Sequence, residues 1–260
     1  MTDPLVEAVT RLRAAGIDNP RLEARLLWEY AQSSSRFEQL LIRRIAREPL
    51  AYIIGHKEFF SLDFEVGPGV LVPRPETETL LEQALAALPD RFAPLRILDL
   101  GTGSGCLLVA ALCLYPNATG TGMDASADAL VWARRNLIRH GCERRATLVE
   151  GDWAAAAGAF DLVLCNPPYV TAADIGRLAP ELAREPRRAL EAGADGLAAY
   201  RALGPVLARL LAPAGRAFVE IGAGQGPGAT AVLEASGLEI LGIAPDLSGI
   251  PRALEARLPA

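Results

Sequence analysis

Histidine is scarce in this sequence of 260 residues, which contains only His56 and His140. Zinc sites and general-base mechanisms both rely heavily on histidine, so neither has much to build on here. The four cysteines show no C-x-x-C spacing; they are Cys106, Cys113, Cys142 and Cys165. We therefore expect buried thiols, without disulfides and without a metal site.

Long apolar runs and a basic excess are also missing. No uninterrupted apolar run approaches the roughly 18 residues of a spanning helix, and the start, Met1-Thr2-Asp3-Pro4, has no basic and apolar leader. We expect a soluble, cytosolic protein. The net charge is −5, with 10 basic and 10 acidic residues in positions 1–75 and 16 against 21 in the remainder. Because phosphate neutralisation supplies most nonspecific affinity for nucleic acid, this balance argues against such a ligand without excluding it.

What the chain does contain is a large apolar fraction, 51%, together with 22% charged residues, which is typical of a globular protein. Residues 1–48 show three helical patterns, one of them beginning at Asn19-Pro20. Residues 51–73 switch to short apolar runs broken by glycines, which predicts a β-hairpin between two domains. A helix is predicted over residues 76–88.

From residue 95 onward, short apolar segments alternate with helical patterns. We predict strands over residues 95–100, 118–124, 146–151, 160–165, 215–221, 238–244 and 252–258. Such alternation indicates an α/β fold with a mostly parallel sheet and helices on both faces. Residues 170–195, with two prolines and mixed charge, are expected to form a mobile cover over the ligand site.

The tetrapeptide Asn166-Pro167-Pro168-Tyr169 follows directly on one of these strands. Open α/β sheets bind ligands at the carboxyl ends of their strands. The Asn side chain offers a carbonyl acceptor, and each proline supplies a backbone carbonyl without an N–H. Such a group can hold a planar NH2, although a simple Pro-Pro turn would give the same pattern.

A glycine-rich turn, Gly101-Thr102-Gly103-Ser104-Gly105, joins the first predicted strand to a helix over residues 106–115. Glycines let the backbone approach a nucleotide-like ligand, and Asp124, closing the next strand, is placed to bind ribose hydroxyls. The G-x-G-x-G spacing disfavours NAD, for which G-x-G-x-x-G is expected. A tight turn without a ligand remains the alternative.

The motifs occur in a fixed order: Asp99 to Gly105, Asp124, Gly151-Asp152-Trp153, then the tetrapeptide. This order resembles the S-adenosylmethionine-dependent Rossmann-like methyltransferases, and the tetrapeptide resembles that of enzymes that methylate a planar nitrogen. Glu58-Phe59-Phe60 and residues 70–78 (VLVPRPETE) look like the interdomain signature of the HemK/PrmC-type glutamine methyltransferases. Members of that family modify the Gly-Gly-Gln loop of peptide chain release factors.

The resemblance implies a seven-stranded, mostly parallel sheet whose final strand is antiparallel. It implies an N-terminal helical substrate-recognition domain over residues 1–50, a β-hairpin linker over 51–73 and a methyltransferase domain over 74–260. The implied cofactor is S-adenosylmethionine, and the implied partners are release factors. Neither a membrane nor a direct requirement for nucleic acid is expected.

The resemblance also implies roles for individual residues. The catalytic group is Asn166, Pro167 and Tyr169. The cofactor would contact Gly101, Thr102, Gly103, Ser104, Gly105, Asp124, Asp152, Trp153 and Asn166. The substrate would contact Asn166, Pro167, Pro168, Tyr169, Phe59 and Arg74.

Two stretches depart from the family pattern. Arg184 stands where an aromatic residue is expected, and residues 192–196 lack one customary glycine. Both lie in the expected cover, so they bear on substrate docking more than on chemistry. The alternatives are a nucleic-acid exocyclic-amino methyltransferase, a glutamine methyltransferase acting on a ribosomal protein, and a noncatalytic cofactor-binding protein.

Overall fold

The N-terminal part of the protein is helical in the computed structural model, which describes residues 3–259. Helices α1 (Pro4–Ala14), α2 (Pro20–Ala31) and α3 (Ser34–Ile45) agree with the three predicted patterns. Asp3 and Ser33 cap α1 and α3 by accepting backbone N–H bonds, and proline occupies the first position of α1 and α2. The apolar faces of these helices form a small core of their own.

The segment predicted as a hairpin is only partly a hairpin. Strands β1 (His56–Phe59) and β2 (Leu62–Glu65) pair antiparallel, but Leu50–Ile54 forms a short helix, α4, and residues 66–73 have no regular structure. Helix α4 is shared between two cores: Ile53 packs among the N-terminal helices, whereas Tyr52 packs against Val70 and Val72. The start of the predicted linker is therefore corrected to a helix.

Seven strands form the main sheet in the order β5-β4-β3-β6-β7-β9-β8. They are β3 (Arg96–Leu100), β4 (Thr119–Asp124), β5 (Ala146–Glu150), β6 (Phe160–Cys165), β7 (Leu211–Glu220), β8 (Glu239–Pro245) and β9 (Pro251–Arg257). Strand β9 is antiparallel to both of its neighbours, and the other pairs are parallel. The predicted mostly parallel sheet with an antiparallel final strand is confirmed.

Helices cover both faces of this sheet. Helices α5 (Glu78–Ala87), α6 (Cys106–Leu114) and α7 (Ala127–Arg139) pack on one face. Helices α8 (Ala198–Leu210) and α9 (Gly226–Ala235) pack on the other. Successive strand residues alternate between the two cores; Ile97 belongs to the first and Leu98 to the second. The carboxyl ends of the parallel strands are left free for a ligand.

The expected cover contains three 3₁₀ turns: Ile175–Arg177, Pro180–Arg184 and Arg187–Ala189. It is tied to the N-terminal helices, because Glu181 pairs with Arg44 and Arg47 at 2.8 Å each. Arg184, where an aromatic residue was expected, donates to the carbonyl of Ala46. The departure from the family pattern therefore serves as a link between the cover and the helical domain.

Candidate active site

A cavity of about 420 Å³ opens at the carboxyl ends of β3, β4 and β6. Ten of the predicted site residues line it: Gly101, Thr102, Gly103, Ser104, Asp124, Asp152, Trp153, Asn166, Pro168 and Arg74. The cover contributes Pro186, Arg188 and Glu191 to the same wall. Motifs that are far apart in the sequence thus meet at one edge of the sheet, because each follows the carboxyl end of a strand.

The glycine-rich turn brings bare backbone to the cavity. Gly101, Gly103 and Gly105 all have positive φ (75°, 55° and 79°), which glycine alone adopts readily. A Cβ atom on Gly101 would lie 3.6 Å from the Trp153 ring, and one on Gly105 would lie 3.2 Å from Ala133 of α7. Gly105 thus serves close packing of α6 on α7, while Gly101 keeps the cavity open beside the Trp153 indole.

Asp124 organises the turn as well as facing the cavity. Its Oδ2 accepts a hydrogen bond from the backbone N–H of Gly103 at 2.9 Å, and its Oδ1 accepts one from Ser126 at 2.9 Å. A carboxylate oxygen can accept a second bond. Both oxygens therefore remain able to accept from the hydroxyls of a ligand, while the glycine turn is held in place.

Asp99 is a buried acid behind the glycine-rich turn, and the sequence motifs gave it no role. Its side chain is buried; Oδ2 accepts from the Thr102 hydroxyl at 2.7 Å and from the Leu108 N–H at 3.2 Å, whereas Oδ1 has no partner among the described residues. Burial raises the pKa of Asp99 to about 7, and the bonds from Thr102 and Leu108 oppose that rise. The available signal was an acid inside an otherwise apolar strand.

Asp152 and Trp153 lie at the side of the cavity, beyond β5. Asp152 is exposed and caps the 3₁₀ turn Trp153–Ala155, since its Oδ1 accepts from the Ala154 N–H at 2.8 Å. The Trp153 ring is half-buried and packs partly on the apolar core. The arrangement gives the cavity one flat aromatic wall with a carboxylate at its edge.

Asn166 is oriented by a neighbour from outside the sheet. Its Nδ2 donates to the Thr77 hydroxyl oxygen at 3.0 Å. Its Oδ1 receives no hydrogen bond from the rest of the described chain, and Asn166 lines the cavity. The side chain therefore presents an acceptor, which is what binding an NH2 group requires.

Pro167 is buried, and Tyr169 stands behind the cavity wall formed by Pro168. The Tyr169 hydroxyl donates to Glu220 at 3.1 Å, and its backbone carbonyl accepts from Gln225 Nε2 at 2.8 Å. Burial raises the pKa of the Tyr169 phenol, so that it stays a donor. The tetrapeptide is thus fixed at both ends. Glu220 and Gln225 had no signal in the sequence motifs.

Of the two predicted substrate contacts outside the tetrapeptide, Phe59 lies in the core and Arg74 lies at the cavity. Phe59 is fully buried and packs edge-on against Phe64, with ring centroids 6.1 Å apart, so it cannot touch a substrate. Its predicted substrate role is corrected to a core role, because β1 turns that face towards α5 and α6. Arg74 lines the cavity and pairs with the buried carboxylate of Glu185 at 2.5 Å. Glu185 also accepts from the Val72 N–H at 3.0 Å.

The four thiols are free. Cys142 and Cys165 are buried as expected, but Cys106 is half-buried and Cys113 is exposed. The sulfurs of Cys113 and Cys142 lie 3.8 Å apart, within hydrogen-bonding distance and without a disulfide bond. Across residues 3–259 there is no group of three or more His, Cys, Asp or Glu that could hold a metal, and no helix that could span a bilayer.

Comparison with known proteins relates this chain to a protein family. Residues 77–197 match the model of the methyltransferase small domain. The release factor glutamine methyltransferase of Rhodospirillum rubrum is 45% identical over 95% of this chain and 82% of its own length. That of Caulobacter vibrioides is 42% identical over 95% of this chain and 94% of its own length.

A solved structure supports the fold alone. The ribosomal protein L11 methylase of Lactobacillus delbrueckii subsp. bulgaricus aligns with a TM-score of 0.53 over 72% of this chain and 81% of its own, at 22% identity. The sheet, the cavity at its carboxyl edge and the 42–45% identity to the named relatives over 95% of this chain agree with the resemblance found in the motifs. The chain belongs to the release factor glutamine methyltransferase family.

Proposed function

We propose that this protein transfers a methyl group from S-adenosylmethionine to the side-chain amide nitrogen of the glutamine in the Gly-Gly-Gln loop of peptide chain release factors. The observation that carries the proposal is the outward-facing Oδ1 of Asn166 at the edge of the cavity, next to the glycine-rich turn. Relatives that are 42–45% identical over 95% of this chain are named release factor glutamine methyltransferases. Methylation of nucleic acid or of a ribosomal protein is not favoured.

The residues of the cavity fit the cofactor. The positive φ angles of the glycine turn leave a cradle that side chains would fill, the carboxylate of Asp124 suits ribose hydroxyls, and Trp153 suits a flat base. When bound, S-adenosylmethionine supplies a methyl group already activated by a sulfonium.

An amide nitrogen is a weak nucleophile because its lone pair is delocalised into the carbonyl. The protein therefore acts by positioning. The Oδ1 of Asn166 and the backbone carbonyl of Pro167 accept the two N–H bonds of the glutamine amide, which aligns the nitrogen and stabilises the positive charge that develops on it. Pro168 and Tyr169 form a rigid backing for that arrangement, because Glu220 and Gln225 fix Tyr169.

We further propose that residues 1–50 recognise the release factor, that residues 51–73 link this domain to the catalytic one, and that residues 74–260 carry the chemistry. A second groove of about 460 Å³ lies between the two parts, beside Arg74. Its apolar wall includes Leu26, Leu50 and Leu182. The groove leads a protein loop towards the cavity, since Arg74 borders both.

The test is mass spectrometry of a purified release factor after incubation with this protein and S-adenosylmethionine. We expect one added methyl group on the loop glutamine, none when that glutamine is replaced, and a rate roughly 100-fold lower for Asn166→Ala, which loses an acceptor for the transition-state charge. Methylation of a release factor that lacks the glutamine would contradict the proposal.

A control with DNA or RNA in place of the release factor distinguishes the nucleic-acid alternative, which would need the base turned out into the same cavity. We expect no label on nucleic acid. Because release factors work on ribosomes, we also propose that the protein acts in the cytoplasm and needs neither a membrane nor nucleic acid for methyl transfer.

A further inference from the structure

A chain of three side chains runs from the cavity into the interior of the protein. Asn166 Nδ2 donates to Thr77 Oγ1 at 3.0 Å, and Thr77 Oγ1 donates to Glu220 Oε2 at 2.5 Å. Thr77 is 2% exposed and Glu220 is 1% exposed. Thr77 belongs to the 3₁₀ turn Pro75–Thr77 and Glu220 to the end of β7, so three separate segments meet here.

The direction of these bonds follows from the protons available. An ionised carboxylate only accepts, so the single proton of the Thr77 hydroxyl points to Glu220. The hydroxyl oxygen is then left as an acceptor, and it can be matched only by the NH2 end of the Asn166 carboxamide. The carbonyl end of Asn166 must therefore face the cavity. A donor in place of Glu220 would reverse each bond and turn the NH2 end of Asn166 towards the substrate.

We propose that Thr77 and Glu220 are positioning residues that fix the polarity of Asn166: ionised Glu220 sets the direction of the Thr77 hydroxyl, and Thr77 holds the Asn166 carboxamide with Oδ1 towards the substrate amide. Thr77 lines the cavity and Glu220 lies buried behind it, so both act on the substrate amide through Asn166. The inference rests on the proposed function, in which Asn166 accepts an N–H from glutamine.

The surroundings make this arrangement sensitive to pH. Burial raises the pKa of Glu220 to about 7; the hydroxyls of Thr77 and Tyr169 and the charge of Arg252 oppose the rise, while Glu76 adds to it. Other titratable groups around the carboxyl are Tyr200 on α8, Cys165 on β6 and Cys106 on α6, and burial raises the pKa of all three. Asp99, whose pKa is also raised to about 7, is a second neutral-range acid near Cys106 and Cys165.

The direction of the pH dependence of kcat follows from the protonation state of Glu220 that supports catalysis. Glu220 must be ionised to act only as an acceptor from Thr77, so kcat falls as pH drops below about 7, the pKa of Glu220. A protonated Glu220 can donate to Thr77 as well as accept from it, so the Thr77 hydroxyl, and with it Asn166, is no longer held in one direction. Asp99 titrates in the same range, so the variant Glu220→Gln is needed to assign the change.

The first test compares Thr77→Val with Thr77→Ser in the full chain. Valine keeps the shape without the hydroxyl, and we expect kcat to fall roughly 10- to 100-fold, the range for losing a hydrogen bond to a charged or reacting group. Serine restores the hydroxyl and keeps kcat within about threefold of the wild-type protein. The dissociation constant for S-adenosylmethionine, measured by calorimetry, stays unchanged in both. Equal loss in the two variants, or no loss in Thr77→Val, overturns the inference.

The second test does not depend on turnover. The ¹³C signal of the Glu220 carboxyl, assigned by its absence in Glu220→Gln, is followed from pH 5 to 9. We expect it to titrate near 7 in the wild-type protein and at a higher pH in Thr77→Val, because the hydroxyl that stabilises the carboxylate is gone. In Glu220→Gln the fall of kcat below pH 7 should disappear.

A Glu220 signal that does not move between Thr77→Val and the wild-type protein overturns the inference. If the wild-type protein leaves the release factor unmethylated, the proposed function fails. The carboxyl titration then still decides whether Thr77 and Glu220 are coupled.

Discussion

At the scale of a single residue, Asp124 has two roles: its carboxylate holds the glycine-rich turn and also faces the cavity. We expect Asp124→Ala to weaken cofactor binding at least about tenfold, because the Gly103 and Ser126 N–H groups lose charge-assisted bonds and the hydroxyl acceptor disappears. Calorimetric titration with S-adenosylmethionine measures the change.

The matched control is Asp128→Asn, an exposed acid four residues away in the first turn of α7. It should leave the affinity unchanged. Equal weakening in both variants would mean that a general loss of negative charge, and not the geometry of Asp124, sets the affinity.

Residue types with a strong local pattern were predictable, and residues that act through tertiary contacts were not. The glycine turn, Asp124 and Asn166 are contiguous with apolar strands, so their place at the sheet edge follows from the sequence. Thr77 and Glu220 are 143 positions apart, and only the packing of the 3₁₀ turn against β7 brings them together. Phe59 was assigned wrongly because an aromatic residue in a signature can equally fill a core.

At the scale of elements, a largely buried cluster of ion pairs joins the cover to helix α3. Arg44 is 5% exposed and pairs with Glu23 and with Glu181 of the cover. We expect Arg44→Ala to lower the free energy of unfolding by about 3 kcal/mol, because two carboxylates lose the charge that compensates their burial. Urea denaturation monitored by circular dichroism measures it.

Arg25→Ala serves as the reference variant, since the Arg25–Glu29 pair lies on the surface and contributes little. A similar, small loss in both variants would contradict the structural role of Arg44.

Most of the helices and strands could be predicted from the sequence. Six of the seven predicted strands agree with the structure to within about one residue at each end, because most of them are short apolar runs bounded by helices or turns. Strand β7 starts at Leu211, four residues before its predicted start, in a stretch with Pro213 and Gly215 where the pairing with β6 is irregular. Helix α4 was missed because five apolar residues fit a strand or a helix equally well.

At the scale of the whole molecule, two buried acids shape the dependence of stability on pH. The pKa values of Asp99 and Glu220 are both raised to about 7, so between their ordinary pKa near 4 and pH 7 the folded state binds more protons than the unfolded state. Stability contributed by these groups therefore falls as pH rises through that window. Acids with lowered pKa values, such as Glu181 and Asp161, act in the opposite sense and lose their contribution as pH falls.

We therefore expect the free energy of unfolding to be highest on the acidic side of neutrality and to decline between about pH 5 and pH 8. Urea unfolding at several pH values tests this, with the double variant Asp99→Asn, Glu220→Gln as the comparison. That variant should show a flatter profile. A wild-type profile that rises steadily towards pH 8 would contradict the assignment of raised pKa values to both acids.

The position of Thr77 also has a consequence for where the catalytic unit begins. The first strand of the main sheet starts at Arg96, and helix α5 starts at Glu78, so a fragment beginning at Glu78 would contain every element of that sheet and every strand-end motif. It would still lack the hydroxyl on which the orientation of Asn166 depends. The smallest competent unit is therefore longer than the sheet and its helices, and it must begin before α5, at Thr77 or earlier.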